Sequence, residues 1–169
     1  MPTQAIWIFV SGRGSIQPGK CVVLLAAGLG LGLASLAVAQ EKGAKGVVAV
    51  RQATMGANGK HMGAIKVILT EDPQLLKHVT VHAQAIAEVL EYVPEMFPKG
   101  SDQQPTSALP VIWEKPDQFG QAAKRAHELA EKLAETAKGG EVQATLAAFA
   151  TLGKDGCGGC HDTFRKKQD

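Results

Sequence analysis

The sequence predicts an all-α fold: an antiparallel four-helix bundle with one long connection between its second and third helices. Three observations carry that prediction. Apolar residues recur at three- and four-residue steps in four separate stretches, the period of a helix with one buried face. Phe, Trp and Tyr make up only 5% of the chain, sparse for a β-sandwich, while Ala, Glu, Lys and Leu are plentiful. A stretch rich in Pro, Ser, Gly and Gln, residues 99–115, divides the four periodic segments into two pairs. With 45% hydrophobic residues, and 18 basic against 16 acidic side chains in 169, the chain is too apolar for disorder. The charge is also too even for a nucleic-acid binder. One domain is expected, burying roughly two-thirds of the surface that the unfolded chain exposes.

The first 39 residues are predicted to be a secretory signal rather than part of that domain. Arg13 and Lys20 precede an uncharged run from Cys21, and the run closes on Ala37-Val38-Ala39. A basic segment, an apolar segment and a small-residue end are the marks of a cleaved leader. A membrane anchor is the competing reading, because the run approaches the roughly 20 residues that span a bilayer. Its glycines and the Ala-Val-Ala end favour cleavage after Ala39, which discards Cys21 and leaves no stable anchor. Residues 1–39 hold two of the 18 basic residues and none of the 16 acidic ones, so 40–169 carry 16 of each and no net charge. Docking must then use local patches rather than a global field.

In chain order, the first helix is predicted from about Lys42 to Thr70, with Val48, Met55, Met62, Ile65 and Leu69 on one face. Glu71-Asp72-Pro73 has the acids and proline of a helix start. The second helix sets Leu75, Val79, Ala83, Ile86, Leu90 and Val93 on a stripe and stops near Pro94 to Pro98. A crossover loop containing Pro105, Pro110 and Trp113 follows. The third helix runs from about Pro116 to Lys138, burying Phe119, Ala122, Ala126, Leu129 and Leu133, and Gly139-Gly140 ends it. The fourth runs from about Glu141 through Leu146, Phe149, Leu152 and Phe164 into Arg165-Lys166-Lys167, a basic end suited to a helix C-terminus.

The chemistry sits in the last helix. Cys157-Gly158-Gly159-Cys160-His161 is C-x-x-C-H, the attachment signature of a c-type haem. Helical spacing puts Cys157, Cys160 and His161 at i, i+3 and i+4, on one face. Two thiols can then bond the haem vinyl groups while the imidazole faces iron, and the two glycines let a flat ring approach the backbone. A thiol–disulfide pair would normally follow a strand, and a structural zinc site needs four ligands. A chance C-x-x-C-H is on the order of 10⁻³ for this length. The expectation is one covalent haem c, and an exported protein is where such attachment occurs.

With these residues in view the chain resembles the cytochrome c′ family, the class II c-type cytochromes, over residues 45–167. The resemblance rests on the haem motif near the C-terminus, on Arg51-x-x-x-Met55 in the first helix, on Ile112-Trp113, and on Phe164-Arg165 after the motif. It implies a periplasmic mono-haem protein with His161 as proximal iron ligand, and Arg51 and Arg165 near the haem propionates; solvated charges are the other reading of both arginines. The family has two branches. In one, a non-ligating residue of the first helix leaves a five-coordinate iron that binds nitric oxide or carbon monoxide. In the other, methionine fills that position, and Met55 with Asn58-Gly59 looks like that low-spin branch. Met55 is then the sixth ligand, Met62 the less favoured candidate, and core packing the plain alternative.

The resulting expectation is a periplasmic electron carrier with a His161/Met55 haem and redox partner proteins. The alternative is a five-coordinate gas-binding haem protein. No enzyme and no nucleic-acid partner is expected, and the family leaves a homodimer open. Gly56, Gly59 and Gly63 mark either a close approach or a weak helix. His78 and His82, spaced i and i+4, are read as an exposed pair, since two ligands seldom suffice for a metal. His61 and His127 are expected to be partly exposed. The Glu88, Glu91, Glu95 and Glu128, Glu131, Glu135 runs are read as solvated faces.

Overall fold

The structure, a computed structural model, describes residues 45–102 and 105–167; the predicted leader, residues 1–39 with Cys21, lies outside the described residues. Helix α1 spans Gly46–Glu71 and α2 spans Leu76–Glu91, joined by a single turn at Pro73–Leu75. A turn at Val93–Met96 opens the crossover, which carries the short helix α3, Val111–Glu114. Helix α4 spans Pro116–Lys138, the bounds expected from its proline start and glycine end. Gly140 takes φ +81°, the left-handed conformation that stops a helix and costs least at glycine. Helix α5, Val142–Thr151, continues through a π-helical stretch, Leu152–Gly158, into α6, Gly159–Phe164. The junction residues Thr151, Leu152, Gly158 and Gly159 all keep helical dihedrals, so 142–164 is one rod, the fourth of the bundle. Among the described residues no helix is long and apolar enough to cross a membrane.

The four rods bury one seam. Helix α2 packs on α4 along its length, α1 on α2, and the last rod on α4. Ile65, Val79, Ile86, Leu133 and Leu152 lie almost fully out of solvent there. His127 ties α4 to α2 through a ring N–H donated to the Ala87 carbonyl at 2.9 Å. Each buried Leu or Ile of this kind is worth about 1.5–3 kcal/mol over its exposed state.

Five expectations are corrected. Leu75 is exposed, because the turn at Pro73–Leu75 rotates it outward and the α2 stripe begins on Leu76. In α4 the seam runs through Ala123 and Ala130, leaving Ala122 and Leu129 half-buried. The crossover is not structureless, since α3 occupies part of it. The basic end does not continue the helix: Arg165 is extended and pairs with Ala108, with Leu109 N–H on Phe164 O at 3.0 Å and Lys166 N–H on Ser107 O at 2.8 Å. That pairing closes the crossover over the end of the last rod. Finally, a Cβ on Gly56, Gly59 or Gly63 would meet no atom within 4 Å, so these glycines serve no close approach between helices.

Gly156 does. A Cβ there would come 3.1 Å from Leu152 Cδ1 and 3.4 Å from the Ala126 Cα, so the π-helical stretch lies directly against the α4 backbone. Gly156→Val is expected to cost about 1–3 kcal/mol by overpacking. Urea unfolding measures it, and a change below about 0.5 kcal/mol would show that the two rods separate freely here.

Candidate functional site

Cys157 is the last residue but one of the π-helical stretch, and Cys160 and His161 lie in the first turn of α6. Both thiols are free and half-buried. Burial pushes the Cys160 thiol up to about 11, with Cys157 adding to the shift, and burial also raises Cys157. The shift disfavours a metal cage of thiolates, and both side chains are present in the reduced state that thioether formation with a vinyl group requires. His161 is half-buried and its pKa is lowered, first by burial and then by Arg165, with Asp162 opposing. A neutral imidazole keeps a lone pair for a metal.

A cavity of about 230 Å³ opens beside these residues and brings Cys160 and His161 together with Met55 and Arg51 of α1. Met55 is half-buried and packs against the core. Met62 does not line that cavity and lies instead near Gly153. The cavity floor is aromatic: Phe97 meets Phe119 edge-on at 4.7 Å, and Phe119 meets Phe164 edge-on at 5.2 Å. One wall comes from the crossover, Thr106 to Ala108, held in place by its pairing with Arg165. These crossover residues were not legible as site residues, because an irregular segment has no period from which a buried face can be read.

Arg51 is not a solvated charge; it is 4% exposed. Its Nε and Nη2 donate to the Met96 carbonyl at 3.1 and 2.9 Å, and Nη2 donates to Ser101 Oγ at 2.8 Å. Its guanidinium lies 3.9 Å from the centre of the Phe97 ring. Among the described residues no carboxylate lies within ion-pair distance of it. Burial lowers its pKa. Arg165 is exposed at the cavity rim. These features fit a haem: a C-x-x-C-H motif of which Cys160 and His161, though not Cys157, line the cavity, a thioether in that same cavity, aromatic walls for a flat ring, and a buried cation with no acid beside it among the described residues, which a carboxylate-bearing ring would supply.

The histidine expectations resolve unequally. His61 and His127 are partly buried as expected, and His78 is exposed, but His82 is half-buried against His61 of α1. The glutamates of both runs are exposed, with Glu135 paired to Lys138 and Glu131 to His127 within α4.

Comparison with known proteins agrees with this geometry. The family model described as Cytochrome C′ matches residues 46–165. A cytochrome c′ of Pararhodospirillum photometricum is 36% identical over 120 residues, 70% of this chain and 95% of that protein. A cytochrome c-554 of Cereibacter sphaeroides is 38% identical over 112 residues, 64% of this chain and 81% of that one. A solved cytochrome c′ described for an unusual ligand-controlled dimer dissociation superposes with a TM-score of 0.66 at 28% identity, covering 72% of this chain and 95% of the other.

Proposed function

The chain belongs to the cytochrome c′ family and carries one covalent haem c, and on that premise we propose that it acts in the periplasm through the face of the haem iron opposite His161. Cys157 and Cys160 would hold the ring by thioethers, and His161 would be the proximal ligand. Arg51 and Arg165, both on the cavity, would face the propionates. When bound, the haem supplies an iron that exchanges one electron or takes a small diatomic gas. Cleavage after Ala39 and release of residues 40–169 as the working domain belong to the same proposal.

Membership in the cytochrome c′ family favours an open distal face that binds nitric oxide or carbon monoxide, and this reading has the wider support. The second reading rests on one observation: Met55 lines the cavity together with His161, where its thioether could close the sixth position. A thioether is a soft donor that favours the reduced state, and a closed site suits electron transfer to a redox partner protein. The aromatic floor and the crossover wall would limit water on either reading. A homodimer is part of the proposal as well: the 28%-identical relative is described for dimer dissociation, and Val67 on α1 and Val81 on α2 stand exposed here.

An absorption spectrum of the holoprotein, with and without carbon monoxide, in wild type and Met55→Ala, separates the readings. If the distal face is open, wild type binds the gas and Met55→Ala changes its affinity less than about threefold. If Met55 closes the site, wild type resists the gas, shows a methionine–iron charge-transfer band, and loses both properties in Met55→Ala. A protein without haem would sink both readings.

A further inference from the structure

A histidine cluster joins α1 to α2 and takes no part in lining the cavity beside Cys160 and His161. His61 of α1 and His82 of α2 point Nδ1 at Nδ1 across 2.8 Å, with their rings tilted by 51° and 5.1 Å between centroids. His78 stands one turn before His82 on the same face of α2 and is exposed. Its charge and that of His61 are felt at His82, whose pKa is lowered chiefly by burial. A neutral, half-buried imidazole in contact with a second imidazole from another helix is an available pair of nitrogen donors.

We propose that His61 and His82 form a binding site for a divalent late first-row cation, of the copper(II) type, with His78 as a third donor. With the rings turned so that both Nδ1 lone pairs meet at one point off the line between them, the pair would present a short bite. Imidazole nitrogens sit about 2.0–2.1 Å from such a cation, so two of them 2.8 Å apart subtend about 85° at it. A tetrahedral angle would hold them about 3.3 Å apart at the same bond length. The near-right angle suits a square-planar or tetragonal cation, and imidazole donors favour copper(II) most among the divalent series. As the rings stand, one Nδ1–H donates to the other Nδ1. For the cation to take both Nδ1 lone pairs, that proton moves to Nε2 of the same neutral ring, so no net proton is released and binding joins α1 to α2 by two coordinate bonds in place of one hydrogen bond. Among the described residues no three such side chains converge as they stand, so His78 joins by a change of rotamer and water completes the plane.

The test uses the oxidised holoprotein and copper(II) sulfate alone. One equivalent is expected to give an electron paramagnetic resonance spectrum with coupling to at least two imidazole nitrogens and to raise the melting temperature. His61→Gln and His82→Gln, each compared with its own copper-free melting curve, are expected to weaken copper binding at least tenfold, and His78→Gln several-fold. If either of the first two variants fails to fold, the count of coupled nitrogens in the wild-type spectrum decides. Fewer than two coupled nitrogens, or equal binding after both His61→Gln and His82→Gln, would overturn the proposal. The haem spectrum, recorded in the same samples, reports separately on the iron site.

Discussion

Replacing both Cys157 and Cys160 by serine is expected to give a chain whose mass under denaturing conditions contains no haem, a complete loss of covalent attachment. Each single replacement is expected to keep one thioether and the haem mass. Both thiols are free and half-buried, so each is present in the reduced form from which a thioether to a vinyl group is made. Cys157 lies within the π-helical stretch while Cys160 lies in the first turn of α6, so the two occupy different helical geometries within three residues. The packing of Gly156 against Ala126 anchors that junction. Mass spectrometry of the denatured protein is the readout, and a haem-loaded double variant would remove the two cysteines from the site.

Arg51→Ala is expected to destabilise the holoprotein by about 2–4 kcal/mol, the range for breaking a buried hydrogen-bond network around a charged group. The guanidinium satisfies the Met96 carbonyl and reaches Ser101, joining α1 to the start of the crossover, and it stacks on Phe97. Ser101 is itself buried, so losing Arg51 removes a donor to its carbonyl and hydroxyl oxygens at a site with little access to water. Arg51→Lys is expected to recover less than half of the loss, because an ammonium cannot fork between two carbonyls and stack at once. Urea unfolding of the three proteins checks this. A loss below about 0.5 kcal/mol for Arg51→Ala would mean that the crossover holds without it. If the same arginine also meets a propionate, the loss will be larger in the holoprotein than in a haem-free Cys157→Ser, Cys160→Ser double variant.

These results bear on how the crossover, rather than the helices alone, builds the cavity. Arg51 holds its beginning, the Trp113 indole N–H holds Phe97 and Pro98 by donating to their carbonyls at 3.1 and 3.0 Å, and the Ala108–Arg165 pairing holds its middle. Three fixed points turn a proline-rich connection into one wall of a pocket. The Phe97, Phe119, Phe164 chain under it draws one ring each from the crossover, α4 and α6, so the floor exists only when all three are docked.

What the sequence by itself determined is the set of helices and the chemistry of the motif. Periodicity, the Pro116 start and the Gly139-Gly140 stop set α4 to the residue, because capping and hydrophobic spacing are local properties. The Cys157, Cys160 and His161 spacing likewise put the motif on one rod, but the shared face expected of a regular α-helix does not extend to Cys157, which lies in the π-helical stretch and does not line the cavity with the other two. Only the tertiary structure decided the rest. Arg51 looks from its neighbours like any surface arginine, and its burial depends on Met96 and Ser101, more than forty residues away. The contact of His61 with His82 depends on how α1 rests on α2, and no spacing within either helix encodes it. The π-helical stretch is where Gly156 lies against Ala126 of α4, a contact thirty residues away that no local spacing encodes. Local rules act through a few residues of chain and can be read from it; contacts closed by long loops depend on the whole fold, and sequence spacing does not carry them.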